Sequence, residues 1–391
     1  MADPIVPVKN LSTQDVLYGD RTTSYRWEVL THSSTTGLDK LIGTLDGVSQ
    51  GSLSWTQTTS VKGRGNLRVV DLDEAQSGML RIASLSLESV RLRPVCVIAG
   101  LPENPLGVFL VSAATEGWNS TGRVWSLELL DRCTVPSQDI VDQSYAVAAG
   151  TLILQQIRTI LASSGEFIDI NKTSTLATST GMAWEAGTSK LKIINDLLDV
   201  AGFNSLWVDG FGNFQTTVRV LPADRSVTYE LLNIPRELRD GSLSIYRPEW
   251  TRDRDSFEVP NKVIAVQAAS GSDAPAVIGT WTNTDATSPY SYASRGRWIP
   301  YVLDSVECPA GTAAEILTFL QKRAQATLVK MSSVQAQVKL EHLPIPVRVS
   351  DVLRFSNTTA GVDKRHVLTS LSLETTPLGL MKSTLQEVIT L

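Results

Sequence analysis

Cysteine and histidine are scarce: the 391 residues contain three of each. Cys96, Cys133 and Cys308 are odd in number, far apart and without a CxxC pair, which excludes a disulfide framework and offers no zinc or redox site. His32, His342 and His366 stand alone without an HExxH pattern, so they read as surface or core histidines rather than ligands. No run approaches about 20 consecutive apolar residues, and the first residues, MADPIVPVKN, lack a basic segment followed by an apolar core. We therefore expect no stable membrane insertion and folding in a cytoplasm. A GxSxG elbow, a GKS loop and a completed GxGxxG fingerprint are all missing. Basic excess is missing too: 35 Lys and Arg against 40 Asp and Glu give a net charge of −5, which disfavours a DNA-reading surface.

What is there is globular. Hydrophobic residues make up 42% and charged residues 19%, enough to bury a core without staples. The length suggests two to four domains. Abundant Ser, Thr and Val, with Gly and Pro scattered throughout, favour many short strands. Among 40 acidic residues no pair stands at diagnostic spacing for glycoside hydrolysis. Asp209 to Asn213 lacks the later acidic ligand of a calcium loop and reads as a hairpin turn. Lys62-Gly63-Arg64-Gly65 has no helix after it and reads as a hairpin loop with basic tips rather than a phosphate cradle. The nine tryptophans are scattered, which points to burial or subunit contact rather than a sugar platform.

The strongest local signal runs from Thr188 to Val220. Leu191, Ile194, Leu197, Leu198 and Ala201 fall at helical spacing. Thr188 or Ser189 can cap the start, and Gly202 can end it in the left-handed region. Leu206 and Val208 then alternate as a strand. Asp209-Gly210-Phe211-Gly212-Asn213 is turn chemistry, and Phe214, Thr216, Val218 and Val220 alternate as the return strand. A second helix is expected over Ser144–Ser163, and a third from Thr312 to about Val329 on the stripe Ala313, Ile316, Leu317, Leu320, Ala324 and Leu328.

Elsewhere strands dominate. Tyr25–Thr31, Leu53–Gln57, Leu67–Val70, Arg81–Ile98, Leu106–Ser112 and Val124–Leu130 alternate in the first third. Gly117, Asn119 and Gly122 form the loop before the last of these. Val263–Val266, Trp298–Glu307, Val334–Leu340, Val347–Phe355, Arg365–Glu374 and Leu380–Val388 follow in the last third. Residues 268–292, rich in Ser, Thr, Asp and Gly, read as a loop. Pro4 and Pro7 mark 1–20 as an arm.

Four runs carry a resemblance: LLDVAGFNSLWVDGFGNF, SIYRPEWTRDRDSFEVPNKVIAV, SLELLDR, and the closing Gly379-Leu380-Met381 to Glu387-Val388. They resemble minor tail proteins of long-tailed bacteriophages, those of the trimeric baseplate hub at the tail tip. The resemblance implies an α+β, mostly β fold. It divides the chain into an N-terminal arm (1–20), a first tail-tube-like antiparallel β-barrel (21–135), a smaller α/β module of two helices and a hairpin (136–235), and a second tube-like barrel with one helix (236–391). It implies a structural virion protein, not an enzyme, with no cofactor, metal or catalytic residue. The homotrimer would adapt a six-fold tail tube to a three-fold tip and line or close the channel for genome ejection. Its expected partners are the distal tail ring protein, the tape measure protein and other tail-tip or fibre proteins, with viral DNA passing unbound. Its expected place is the virion tail tip, after assembly in the host cytoplasm. The mixed-charge run Trp250, Arg252, Asp253, Arg254 and Asp255 is the candidate subunit interface. The alternative is a tail-tip protein that binds glycan or degrades cell wall.

Overall fold

The structure, a computed structural model, describes residues 16–17, 21–71, 78–120, 122–167, 176–178, 181–233, 246–254, 257–268, 275–333 and 336–388. Its first strands are β1 (Thr23–Ser33), β2 (Leu38–Leu45), β3 (Val48–Thr56), β4 (Gly63–Val70), β5 (Met79–Leu80), β6 (Val90–Ile98), β7 (Asn104–Pro105), β8 (Phe109–Asn119) and β9 (Gly122–Asp131). A mixed region follows, with α1 (Thr134–Gln138), β10 (Tyr145–Val147), α2 (Ile153–Ser163), β11 (Met182–Trp184), α3 (Lys190–Val200), β12 (Trp207–Val208), β13 (Phe214–Gln215) and β14 (Tyr229–Asn233). The last part holds β15 (Tyr246–Arg254), β16 (Lys262–Gln267), β17 (Ile278–Thr282), α4 (Tyr292–Arg295), β18 (Pro300–Val306), α5 (Ala313–Ser333), β19 (Ala336–His342), β20 (Val352–Asn357), β21 (Val362–Glu374) and β22 (Met381–Glu387). The fold is α+β and mostly β.

Fifteen strands share one sheet, in the order β15-β19-β22-β21-β3-β4-β9-β8-β6-β1-β2-β5 with β14, β20 and β7 beside that path. The long strand β21 fuses the two halves. One edge pairs β22; the other pairs β20 through Val362–Val367 and then β3 through Ser370–Glu374.

Both halves must curl. β2 and β3 lie at opposite ends of the order β3-β4-β9-β8-β6-β1-β2, yet only Asp46 and Gly47 separate them in the chain. Six flat spacings of about 4.8 Å would part them by roughly 29 Å. Three Cα steps reach at most about 11 Å. In the second half Tyr246 of β15 donates its hydroxyl to the Ser356 carbonyl of β20 at 3.1 Å, four strands away along the ladder. The Trp250 ring meets Phe355 edge-on with centroids 5.2 Å apart. The hydrogen-bond ladder among the described residues nevertheless closes no barrel. β1 buries Trp27, Glu28, Val29 and Leu30 in succession, where strict alternation would bury every second residue, so both of its faces are covered there.

The helices form as expected locally. Ser189 Oγ accepts from the Lys192 amide at 3.3 Å at the start of α3, and Gly202 follows its end at φ +72°. Leu191, Ile193, Ile194, Leu197 and Leu198 of α3 pack on Ile153, Leu154, Ile157, Ile160 and Leu161 of α2, all buried. Each contributes about 1.5–3 kcal/mol of burial. α5 starts in a capping box: the Thr312 amide donates to Glu315 Oε2 at 2.7 Å, and the Glu315 amide returns a bond to Thr312 Oγ1 at 3.4 Å.

Several expectations are corrected. The helix expected over Ser144–Ser163 begins only at Ile153, because Tyr145–Val147 pair with Met182–Trp184. The strand expected from Arg81 begins at Val90, after a 3₁₀ turn at Ile82–Ser84. The strand expected over Val347–Phe355 begins at Val352. Residues 268–292 contain β17 rather than loop alone. Lys62-Gly63-Arg64-Gly65 is not a loop tip: Gly63–Gly65 lie within β4, and a Cβ on Gly65 would stand 2.7 Å from Leu53 Cδ2. The return strand after the DGFGN turn is only Phe214–Gln215, with Val218 and Val220 exposed. On the stripe of α5, Ala313 and Leu317 are exposed. Of the expected arm, Val16 and Leu17 are described, and both are buried against Cys96, Ile98 and Leu231.

Candidate functional site

Three features could act beyond the fold itself: a buried charge joint, the mixed-charge strand β15, and the exposed edges of the sheet.

The joint brings together two arginines and two acids that lie far apart in the chain. Arg91 sits on β6, Arg132 just after β9, Asp39 on β2, and Glu166 just past Gly165 at the end of α2. Arg91 Nη2 donates to Glu166 Oε1 at 2.7 Å, and Arg132 Nε donates to Glu166 Oε2 at 2.7 Å. Asp39 accepts from Arg91 Nη1 at 3.2 Å and from Arg132 Nη1 at 3.3 Å. His32 Nδ1 lies 2.8 Å from Asp39 Oδ1, and its Nε2 lies 3.1 Å from the Gly165 carbonyl. The Glu166 side chain is 0% exposed. The charges of the two guanidiniums and the two carboxylates balance, as burial requires.

The joint also holds the DGFGN turn. Arg132 Nη1 donates to the Gly212 carbonyl at 2.9 Å, and its guanidinium stands 5.3 Å from the Phe214 ring centroid. A Cβ on Gly212 would stand 2.6 Å from buried Val108, and one on Gly210 would stand 2.0 Å from the Pro105 carbonyl oxygen. The glycines thus let the turn press onto β7 and the loop before β8. Asp209 Oδ1 accepts from the amides of Phe211 and Asn213, both at 2.9 Å, and Oδ2 accepts from Gln215 Nε2 at 3.0 Å. Those bonds use the carboxylate to shape the turn, as the sequence led us to expect. No group of three or more His, Cys, Asp and Glu side chains fit to hold a metal ion occurs among the described residues.

The run expected at an interface lies at the end of β15. Trp250 is half-buried on Phe355; Arg252 donates to Glu387 at 2.6 Å; exposed Asp253 accepts from Lys339 Nζ at 2.8 Å. Arg254 pairs in register with Ala336, and Asp255 lies outside the described residues.

Sequence reasoning missed the joint entirely. Its members are 32, 39, 91, 132 and 166, and no local spacing connects them. It also missed the length of the β8–β9 hairpin. β8 pairs β9 from Phe109 to Asn119 but pairs β6 only at Phe109 and Leu110. Residues 112–119 are therefore exposed, with Trp118 at 77%.

No protein-family model matches this chain, and no curated protein matches it in sequence. Solved structures match it along nearly its whole length. It is similar to the tail protein of Neisseria meningitidis MC58, with 11% identity and a TM-score of 0.60 over 93% of this chain and 97% of that one. It is similar to the 43 kDa tail protein of prophage MuSo2 from Shewanella oneidensis, with 12% identity and a TM-score of 0.57 over 93% and 98%. It is also similar to prophage tail protein gp18 of Listeria monocytogenes EGD-e, with 12% identity and a TM-score of 0.50 over 92% and 94%. The chain has the fold of phage tail proteins, and the resemblance read from its sequence is borne out at that level.

Proposed function

We propose that this chain is a structural protein of a phage tail, a baseplate hub at the tail tip. The observation that carries the reading is the fold shared with tail proteins along nine-tenths of the chain. The two curled half-sheets support two tube-like barrels, over 21–135 and 236–391, with the α/β module over 136–235 between them. Three copies would place six such halves in a ring, which adapts a six-fold tube to a three-fold tip. The ring would meet the distal tail ring protein, the tape measure protein and fibre proteins, and its channel would pass DNA without binding it. A slightly acidic wall suits that passage, because it makes no phosphate contacts. No catalytic step is assigned to it.

Native mass spectrometry at low micromolar concentration tests the reading. A trimer is expected, alone or once the adjoining tail ring protein is added. A monomer under both conditions overturns the hub. Turnover of purified cell wall would instead favour a cell-wall-degrading tip protein.

A further inference from the structure

We propose that the polar face of the six strands β19-β22-β21-β3-β4-β9 is the surface that faces passing duplex DNA, and that four acids on it offset four bases so that phosphate slides past. The inference rests on the hub reading and names the side of the sheet which that reading needs.

The register divides these strands into two faces. On one, Met381, Leu373, Leu53, Gly65 and Leu129 stand in line across β22, β21, β3, β4 and β9, and all are buried. On the other, one row runs Glu341, Lys382, Ser372, Ser54 and Arg64 from β19 to β4. The next row runs Glu374, Ser52, Asn66 and Glu128 from β21 to β9. Every member of the two rows is polar, and each is half-buried or exposed. The ladder carries this face across the seam at Ser372 and Ser54 without a break, so one wall spans both halves of the chain. The α/β module is fastened elsewhere, through Glu166 to Arg91 of β6 and through Arg132 to Asp39 of β2. Surfaces that hold a protein partner carry contiguous apolar patches. Rows of serine, asparagine and charge give a sliding polymer nothing apolar to lodge against.

The charges on this face are matched. Lys339 Nζ donates to Asp253 Oδ2 at 2.8 Å, and Lys382 Nζ lies 3.6 Å from Glu341 Oε1. Arg64 and Arg68 of β4 both stand diagonal to Glu128 of β9, whose direct partner is Asn66 between them. Glu374 is the fourth acid. Affinity for duplex DNA grows with the number of phosphates that bases neutralise. Four bases set among four acids leave the wall no net positive charge with which to hold the backbone.

Removing the acids tests it. Glu128→Lys with Glu374→Lys places unmatched bases on the face in every copy. Glu88→Lys with Asp142→Lys, at exposed acids off the face, makes the same change of charge. Each protein is mixed with linear duplex DNA and with a covalently closed circle of equal length, and retention is read by filter binding at 50 and 200 mM salt. A channel admits only DNA that has an end. The trimeric face variant should retain linear DNA at least ten-fold better than the circle, with the difference lost at the higher salt. The control variant should treat the two forms alike, and the wild type should retain neither. Equal retention of both forms by a trimeric face variant, or retention of neither, overturns the assignment and leaves the hub reading standing. Should the face variant not assemble, nitroxides on Ser372→Cys and, separately, on Ser24→Cys of β1 give a second measurement, since the three native cysteines are buried. In the trimer the distances between copies should be shorter from Ser372→Cys; equal or longer ones overturn the assignment. A wild type that stays monomeric even with the tail ring protein overturns the hub reading and this inference together.

Discussion

Glu166 and Asp199 each sit between two arginines, and they do different work. Glu166 lies between Arg91 and Arg132 with its side chain 0% exposed. Asp199, at the end of α3, lies between Arg219 at 2.7 Å and Arg323 of α5 at 2.5 Å, with its side chain 44% exposed. The composition is the same and the surroundings are not. In the first cluster water is excluded, so each charge depends on its partners and removing one strands the rest. In the second, water screens the pairs and competes for every donor. Burial, rather than the number of ion pairs, decides which cluster holds the modules together.

The sharpest test of this contrast is Glu166→Gln. It leaves two buried guanidiniums with one carboxylate, and we expect a loss of about 3–5 kcal/mol in urea unfolding. A loss under about 1 kcal/mol would remove the distinction between the two clusters. Replacing Glu166 with Leu and Arg132 with Met together should cost less than Glu166→Gln alone, since no charge is then left over.

Next in size is an effect of pH, which shows what burial does to an ionisable group. His342 and His366 are buried, and burial lowers both to a pKa of about 4. His342 Nδ1 donates to the Leu343 carbonyl at 2.7 Å, and its Nε2 lies 2.8 Å from Ser383 Oγ, a pattern that suits the neutral ring. The unfolded ring titrates near 6.5. Stability from these rings is thus complete above about pH 6.5 and falls as pH drops from there to about 4, by roughly 3 kcal/mol per histidine. Chemical denaturation at pH 7.5, 6, 5 and 4 reads the slope, and His342→Gln should flatten about half of it. A flat wild-type profile would count against buried neutral rings.

Smaller again is Gly212→Ala. Gly212 has φ +93°, and its missing Cβ leaves room for Val108 beneath the Arg132 bond. Left-handed strain and the clash together should cost about 2 kcal/mol. If the loss falls below about 0.5 kcal/mol, the turn is not pressed onto the β8 loop as described.

What could be read from the chain follows from how local each signal is. The helix at 190–200, its Ser189 cap and its Gly202 end were legible because helical periodicity and capping act within about four residues. The β-strand at Val362–Glu374 was legible as alternation, but its role in fusing the halves was not, since pairing with Ser52–Thr56 spans more than three hundred residues of sequence. Gly63 and Gly65 looked like loop residues because glycine usually marks turns; here they stand in a strand where Leu53, Trp55 and Asp131 leave no space for a Cβ. Tyr145–Val147 looked helical because apolar spacing there fits a helix as well as a strand, and only pairing with Met182–Trp184 decides it. The joint was hidden for the same reason: Glu166 looks like a surface acid until Arg91 and Arg132 are brought to it from strands elsewhere.

The smallest predicted effect closes the comparison. Asp199→Asn removes one charge from a cluster that water reaches, and keeps a side chain that can still accept a bond from Arg219 or Arg323. Exposed ion pairs contribute about 0–1 kcal/mol, so the loss should be under 1 kcal/mol. It should also shrink with salt, because about 0.5 M ionic strength shortens the screening length to a few ångströms. Glu166→Gln should lose the same amount at low and high salt, since the ions do not reach it. Unfolding both variants in urea at 0.05 and 0.5 M NaCl separates the cases. If Asp199→Asn costs as much as Glu166→Gln and ignores salt, then the contact between α3 and α5 is as dry as the joint under β6, and exposure has misjudged which of the two clusters fastens the modules.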